Sequence, residues 1–339
     1  MNELSAESNF AKSGHSELNF EFRGNGMEYF KIWIVNVLLS ILTLGIYSAW
    51  ATVRNNRYFH SNLYLDNNNF RYLAEPMTIL KGRIIAVAAF IALSVIANLF
   101  PIAGIALYVG LIFLIPYFVN KSLAFSHRMT AYNNIQFRFK ASYGEAFMAL
   151  IVWPLLGALT LGILYPQAFL KMNQYIVKNS AYGTSKFDFS ATYKDYGIIF
   201  LTMIGVALVL GIPTWAIATY VPALAVISPV FIGIVYFGLI VYFMVQTTNL
   251  FYRSVSLADH RFDANLTMGG LAKVFLTNAV LTIITLGLYL PAAKVRMTKY
   301  MCSCMQMNAC VSLDNFTAAE KENISALGEE FGQVFDFAM

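Results

Sequence analysis

The chain has 339 residues, of which 58% are hydrophobic and only 12% are charged. Soluble domains carry about a quarter charged residues, so the composition excludes a soluble globular protein and indicates an integral membrane protein. The formal net charge is +5, and the basic residues are spread along the chain rather than gathered in one patch, which argues against a nucleic-acid partner.

The N-terminal part of the chain predicts a polar tail followed by a first repeat. Residues 1–17 lack the apolar core of a cleavable signal peptide, so we expect the first apolar segment to direct membrane insertion. Repeat one covers residues 18–133. Its alternating run "LNFEFRG" predicts a strand. After that strand we expect a re-entrant helical hairpin over 27–62, strands over 62–74 and two membrane spans within 79–128.

The same order of elements recurs further along the chain. Repeat two covers residues 134–259, with a strand in "IQFRFKA", a hairpin over 145–180, strands over 181–192 and two spans within 195–250. The residues between Asp195 and Arg253 carry no charge, and this length suffices for two helices of roughly 20 residues each. Repeat three, residues 260–316, is truncated after a hairpin over 270–306. Residues 317–339 form an acidic amphipathic tail, which we expect to dock on the protein's own basic face or on a protein partner.

Three copies of the triplet Thr-Leu-Gly define these repeats. Recurrence at long, similar intervals indicates internal repetition. The motif begins at Thr43, Thr160 and Thr285. Three further sets of residues coincide when the copies are aligned, and Phe70 matches Phe187: Phe20, Phe137 and Phe262 before the motif, then Arg54, Lys171 and Arg296, and Tyr58, Tyr175 and Tyr300 after it.

The distribution of basic residues predicts how the triplets lie in the membrane. If each triplet marks the tip of a re-entrant hairpin, all 23 Lys and Arg fall on one side. If each triplet lies in a single kinked span, the alternative, the basic residues are divided without bias. The positive-inside rule favours the hairpins, with four full spans and both termini in the cytoplasm. Six or seven spans are the fallback.

The hairpin interpretation assigns turn roles to eight residues. Glycine suits the backbone angles of a tight reversal, threonine bonds to freed backbone groups, and proline suits the first turn of the returning helix. The predicted turn residues are Thr43, Gly45, Thr160, Gly162, Pro166, Thr285, Gly287 and Pro291.

The recurring basic and aromatic residues after each triplet admit two interpretations. Arg54, Lys171 and Arg296 could line a cytoplasmic vestibule that attracts anions or anionic head groups. Alternatively, these cations and the tyrosines Tyr58, Tyr175 and Tyr300 anchor the helices at the membrane interface.

The stretch "FRGNGMEYFKIWIVNVLLSILTLGIYSAWATVRNNRYF" and the tail "ALGEEFGQVFDF" resemble the YjgN-like family of bacterial inner-membrane proteins, which is classed by a domain of unknown function. The resemblance extends from about Leu18 to Phe337. It implies residence in the inner membrane, and it supplies no catalytic residue, cofactor or substrate. The sequence itself shows no catalytic, phosphate-binding or metal-binding motif.

We therefore expect an α-helical polytopic membrane protein with three parallel internal repeats, re-entrant helical hairpins and a small cytoplasmic β layer. We expect no enzyme activity, no cofactor and no metal. The expected function is a transporter or channel for a small anionic or amphiphilic solute. The alternative is a non-transporting membrane scaffold or regulator that acts through its cytoplasmic strands and acidic tail.

Overall fold

The computed structural model describes residues 16–221, 226–310 and 316–322. The predicted polar tail up to residue 15, the predicted acidic tail beyond residue 322, and both termini lie outside these residues. Nearly all of the three predicted repeats lies within them.

Ten short strands in the described residues pair antiparallel and close into a barrel, because the first strand bonds to both the second and the tenth. The strands are β1 (Ser16–Phe22), β2 (Leu63–Leu65), β3 (Asn68–Tyr72), β4 (Thr130–Tyr132), β5 (Ile135–Phe139), β6 (Ser180–Tyr182), β7 (Ser185–Phe189), β8 (Val255–Leu257), β9 (His260–Ala264) and β10 (Met305–Ala309). Closure leaves no unpaired sheet edge.

Ten helices in the same residues connect the strands, and two helices make up each connection. They are α1 (Gly26–Leu42), α2 (Ser48–Ser61), α3 (Pro76–Leu99), α4 (Pro101–Arg128), α5 (Tyr143–Leu159), α6 (Tyr165–Lys178), α7 (Tyr193–Tyr220), α8 (Ser228–Ser254), α9 (Met268–Ile284) and α10 (Leu290–Ser303). Helix α5 contains a π-helical turn at Met148–Val152.

The two ends of the barrel carry different connections. Two-residue turns join β2 to β3, β4 to β5, β6 to β7 and β8 to β9; Asp66 and Asn67 in the first of them have φ of 48° and 59°, the left-handed angles of a tight β-hairpin turn. A helix pair makes each of the other five connections: β1 to β2, β3 to β4, β5 to β6, β7 to β8 and β9 to β10. Because neighbouring strands are antiparallel, each helix pair leaves and returns at the same rim. We name the two rims the turn end and the helix end.

This architecture corrects the expected fold class on two points. The strands form a closed ten-stranded barrel rather than a small β layer. The repeating element is a unit of one strand, a helix pair and a second strand, and it occurs five times in the described residues. The prediction of three repeats was therefore wrong. The long helix pairs lack the Thr-Leu-Gly triplet, but they occupy the same place between two paired strands as the short pairs do.

The helices form a ring above the helix end of the barrel. Each helix packs against the next one in the chain, and α10 packs against α1, which closes the ring. The second helix of each pair also packs against a barrel strand, as α2 does on β3 and α10 on β1. The axis of the helix ring therefore continues the axis of the barrel.

Four of the helices are long and apolar enough to cross a membrane. They are α3, α4, α7 and α8, with 24 to 28 residues and a mean hydropathy of 2.1 to 2.3. They lie within residues 76–128 and 193–254, where the sequence predicted spans within 79–128 and 195–250. At 1.5 Å per residue, a helix of 24 residues measures ~36 Å, which exceeds the ~30 Å of a hydrocarbon core. Helix α1 has 17 residues and reaches ~25 Å.

Candidate functional site: the barrel lumen

The inside of the barrel is lined by one pair of facing residues from each of the five units. These residues pack in a single apolar cluster. The pairs are Phe20 with Leu65, Phe70 with Tyr132, Phe137 with Tyr182, Phe187 with Leu257, and Phe262 with Met307. Neighbouring phenyl rings contact each other around the lumen, with 6.4 Å between the centroids of Phe70 and Phe137 and again between those of Phe137 and Phe187.

Strand alternation explains why these phenylalanines face inward. In each of the five strands, the phenylalanine is followed at once by a charged residue: Phe20-Glu21, Phe70-Arg71, Phe137-Arg138, Phe187-Asp188 and Phe262-Asp263. Successive side chains of a strand point to opposite faces, so the charged residue faces water while the ring faces the lumen. Alternation around Phe20, Phe137 and Phe262 predicts strands from the sequence, but that all five phenylalanines face one common lumen follows only from closure of the barrel.

The lumen encloses a cavity of about 280 Å³ whose wall is almost entirely apolar. It extends from Phe316 at the turn end to Leu63, Tyr252 and Met305 at the helix end. An apolar cavity of ~150 Å³ is already large enough to bind benzene. The lumen is therefore large enough for the apolar part of a small ligand.

Two tyrosine hydroxyls in the lumen wall are bonded to the barrel backbone. Tyr132 Oη donates to the carbonyl oxygen of Leu65 at 2.8 Å, and Tyr182 Oη donates to the carbonyl oxygen of Tyr132 at 3.0 Å. Burial raises the pKa of Tyr182 well above its usual value. Tyr182 therefore stays neutral and adds no charge to the cavity.

A short helix at residues 316–322, the cap, covers the turn end of the lumen. The ring of Phe316 stacks on Tyr182 with 6.2 Å between centroids and meets His260 edge-on at 4.7 Å. The carboxylate of Glu320, only 3% exposed, accepts hydrogen bonds from Thr184 N at 2.7 Å, from Thr184 Oγ1 at 2.8 Å and from Ser185 Oγ. The cap is thus fixed to the turn between β6 and β7.

Two titratable groups at the contact between cap and barrel have shifted pKa values, namely Glu320 in the cap and His260 on β9. Burial by itself raises the pKa of Glu320, but hydrogen bonds from Ser185 and Thr184 outweigh it, and the net pKa is lowered. Burial also lowers the pKa of His260, against a smaller opposing effect of Asp259. At neutral pH the cap therefore docks with an ionised glutamate and a neutral histidine.

The structure places the predicted turn residues at the connections of three short helix pairs. The hydroxyls of Thr43, Thr160 and Thr285 each donate to the carbonyl oxygen four residues earlier at 2.7 Å and accept from the N–H four residues later. Gly45, Gly162 and Gly287 have φ of 90°, 97° and 92°. Pro166 and Pro291 lie buried in the first turn of the returning helices.

The leucine between threonine and glycine points outward at each of these turns. Leu44, Leu161 and Leu286 are 95%, 96% and 93% exposed and have left-handed backbone angles. The turns therefore satisfy their own backbone groups while they present an apolar side chain to the surroundings.

The three recurring cations lie on separate helix pairs. Arg54 is exposed on α2, Lys171 Nζ donates to Gln174 Oε1 at 3.3 Å on α6, and Arg296 donates to Tyr289 Oη and Thr277 Oγ1 at 3.2 Å in the α9–α10 pair. Each side chain that bonds does so within its own pair, so the described contacts do not bring the three cations together.

The recurring tyrosines join helices to one another through their hydroxyl groups. Tyr58 Oη donates to the carbonyl oxygen of Asn25 at 2.9 Å and accepts from its N–H at 2.8 Å. Tyr300 bonds Thr267 in the same way. Tyr175 Oη instead donates to Asn120 Oδ1 at 2.6 Å. Tyr58 and Tyr300 thus fix the N-cap residue of the first helix in a pair to the end of the second helix.

Comparisons with known proteins add the family. The family described as "Bacterial protein of unknown function (DUF898)" matches the chain over residues 17–334. The chain belongs to this family. The resemblance to the YjgN-like family is thereby confirmed, since curated relatives carry that name.

Two relatives show how far the similarity extends. "Inner membrane protein YjgN" of Salmonella typhimurium is 24% identical, over 92% of this chain and 93% of the relative. The protein of that name from Escherichia coli O157:H7 is 30% identical, over 43% of this chain and 37% of the relative. No solved structure matches the chain. The DUF898 family thus includes proteins named for the inner membrane, in agreement with the four apolar helices found here.

Proposed function

We propose that this DUF898 protein binds an amphiphilic solute of the inner membrane in its barrel lumen and moves it between membrane and cytoplasm. The observation that carries this proposal is the apolar cavity of about 280 Å³, lined by five phenylalanines on the axis of a closed helix ring. Ligand sites of this kind are concave and mostly apolar. An acyl or isoprenoid chain that leaves the bilayer for this lumen exchanges one apolar environment for another, without exposure to water.

The orientation that fits this function has the barrel in the cytoplasm and all five helix pairs inserted from that face. The exposed leucines at the short tips support it, because a left-handed, solvent-exposed leucine gains nothing in water and suits a hydrocarbon environment. The backbone groups of the turns are also hydrogen-bonded within the turns, as polar backbone groups in lipid must be. In this arrangement the first described strand, β1, and the helix at residues 316–322 lie on the cytoplasmic side.

The cap favours a second candidate function. Phe316 closes the turn end of the lumen, which would suit a protein that holds its ligand without releasing it to the cytoplasm. Such a protein would act as a scaffold or sensor whose acidic tail signals occupancy to a partner. A flux measurement out of the membrane separates the two candidates, since only the transporter speeds the release of an amphiphile from vesicles that contain the protein into the surrounding water.

Binding in the lumen is tested by photo-cross-linking in lipid nanodiscs. A twelve-carbon fatty acid with a diazirine at the end of its chain is the probe, and mass spectrometry locates the adducts. We expect adducts in the peptides of β3 and β5. Leu257→Trp, which fills the lumen, should abolish them, whereas Ser256→Trp, on the other face of the same strand, should not. Adducts confined to the helices, and equal in both variants, would refute lumen binding.

The flux experiment uses the same variants in proteoliposomes. We expect the fatty acid to pass to an acceptor in the surrounding water faster from vesicles with the wild type or Ser256→Trp than from protein-free vesicles, and no such increase for Leu257→Trp. Cross-linking in the lumen without any flux would support the scaffold instead.

A further inference from the structure

We propose a second binding site, outside the lumen and independent of its function. It is a groove of about 690 Å³ between α5 and α6 that holds the anionic phosphate head group of an amphiphile. Three lysines line it: Lys171 and Lys178 on α6, and Lys186 on β7. Lys171, Gln174, Tyr175 and Lys178 lie at spacings of three and four residues, so one face of α6 forms a wall of the groove.

The lysine charges remain largely available to a ligand. Lys178 lies 3.4 Å from Asp188, but both side chains are exposed, and an exposed pair of this kind is weak. Among the described residues, Lys171 bonds only the neutral Gln174, and Lys186 takes part in none of the ion pairs found there. The carboxylate in the groove, Glu145, is engaged in the capping box with Ser142.

The π-helical turn of α5 shapes the opposite wall. Eight residues of regular α-helix would rotate Trp153 about 80° away from the face of Glu145, at 100° per residue. The π-turn at Met148–Val152 holds an extra residue per turn, which compensates for this rotation. Trp153 therefore lines the same groove as Glu145. Such turns occur frequently at functional sites, and α1 and α9, the first helices of the other short pairs, are α-helical throughout.

The order of side chains along the groove matches an amphiphile. Lys186 lies on barrel strand β7, and Lys178 lies in the last turn of α6, next to the barrel. Lys171 lies about 10 Å further from the barrel along α6, and Trp153, Met148 and Ala149 form the apolar part of the wall. A head group bound by the lysines would leave its chain against Trp153. A free phosphate ion would use only the basic part.

The test is native mass spectrometry of the full chain in detergent, with added phosphatidylglycerol or phosphatidylcholine. We expect the anionic lipid to remain bound to the wild type. Each basic residue near a membrane surface contributes about 1 kcal/mol, or about fivefold, to the attraction of an anionic lipid, so Lys→Gln changes at 171, 178 and 186 together should weaken binding on the order of 100-fold. The matched control changes three exposed lysines at other helix starts, Lys31, Lys194 and Lys273, to glutamine.

Further variants keep the outcome decisive. The triple Lys→Arg variant should retain the lipid, which separates loss of charge from loss of fold, and Trp153→Ala should weaken binding of lipid but not of inorganic phosphate. Equal lipid retention by the groove variant and the control variant would overturn the proposal. Displacement of the lipid by inorganic phosphate, with no effect of Trp153→Ala, would identify a free anion as the occupant and overturn it too. Leu257→Trp fills the lumen and should leave this binding unchanged.

Discussion

The sharpest test of how the short helix pairs lie is Leu161→Asp. The side chain of Leu161 is 96% exposed, and its φ is 53°. In water this change would be neutral or stabilising, because a left-handed leucine costs about 1–2 kcal/mol and aspartate visits that conformation more readily. In lipid the sign reverses.

The expected magnitude follows from the depth of the tip. Helix α5 spans Tyr143–Leu159, a length of ~25 Å at 1.5 Å per residue. Its tip therefore passes the middle of a hydrocarbon core ~30 Å thick without reaching the other side. At the centre of a membrane helix, leucine and aspartate differ by about 3–4 kcal/mol. The tip lies ~10 Å beyond that centre, where the cost of a charge is smaller. We expect Leu161→Asp to destabilise the protein by about 1–3 kcal/mol.

The measurement is the free energy of unfolding of the protein in nanodiscs, obtained by thermal or denaturant titration. The matched control is Ala258→Asp, at an exposed position of a barrel turn with φ of 50°, which should change the unfolding free energy by less than about 0.5 kcal/mol. If Leu161→Asp leaves stability equal to that of the control, the tips do not lie in lipid.

Three further predictions concern the cap and the turns. Glu320→Gln should weaken cap docking by about 1–3 kcal/mol, because the hydrogen bonds lose an ionised acceptor; faster hydrogen exchange in residues 316–322 would show it, and the exposed Glu322→Gln should show no change. The pKa values of His260 and Glu320 are both lowered in the fold, so docking of the cap should be complete above pH 6.5. As the pH falls, docking should weaken first because His260 takes up a proton and, below pH 4.5, because Glu320 does. Hydrogen exchange corrected for its intrinsic pH dependence measures this, and equal protection at pH 7 and pH 4 would contradict it. Gly287→Ala should destabilise by about 1–3 kcal/mol through backbone strain, since the added carbon meets only Leu290 Cδ1, in ordinary contact at 3.9 Å, whereas Gly82→Ala inside α3 should stabilise by about 0.5–1 kcal/mol; equal effects in a thermal melt would argue against the strain.

The sequence was sufficient to predict the helix pairs but not the barrel. Uncharged runs such as the one between Asp195 and Arg253 are long enough to exclude other interpretations. The strands β2, β4, β6 and β8 have only three residues each. Three residues carry no measurable alternation, so the partners that close the barrel could not be recognised.

The site was hidden for a related reason. The alignment on Thr-Leu-Gly placed Phe20, Phe137 and Phe262 in one set, and Phe70 with Phe187 in another. The two sets form one ring because the long and short helix pairs occupy equivalent places in the barrel. Phe316 and Glu320 follow no periodic signal, because their role depends on contacts with turns more than fifty residues away in the chain.

Cryo-electron microscopy of the protein in nanodiscs of bacterial lipid tests the central claim most directly, namely that an apolar lumen at the base of a closed helix ring receives an amphiphile. We predict elongated density inside the barrel, in contact with the rings of Phe137 and Phe187 and ending below Phe316. A lumen collapsed onto its own phenylalanines, or filled with ordered water, would contradict this account.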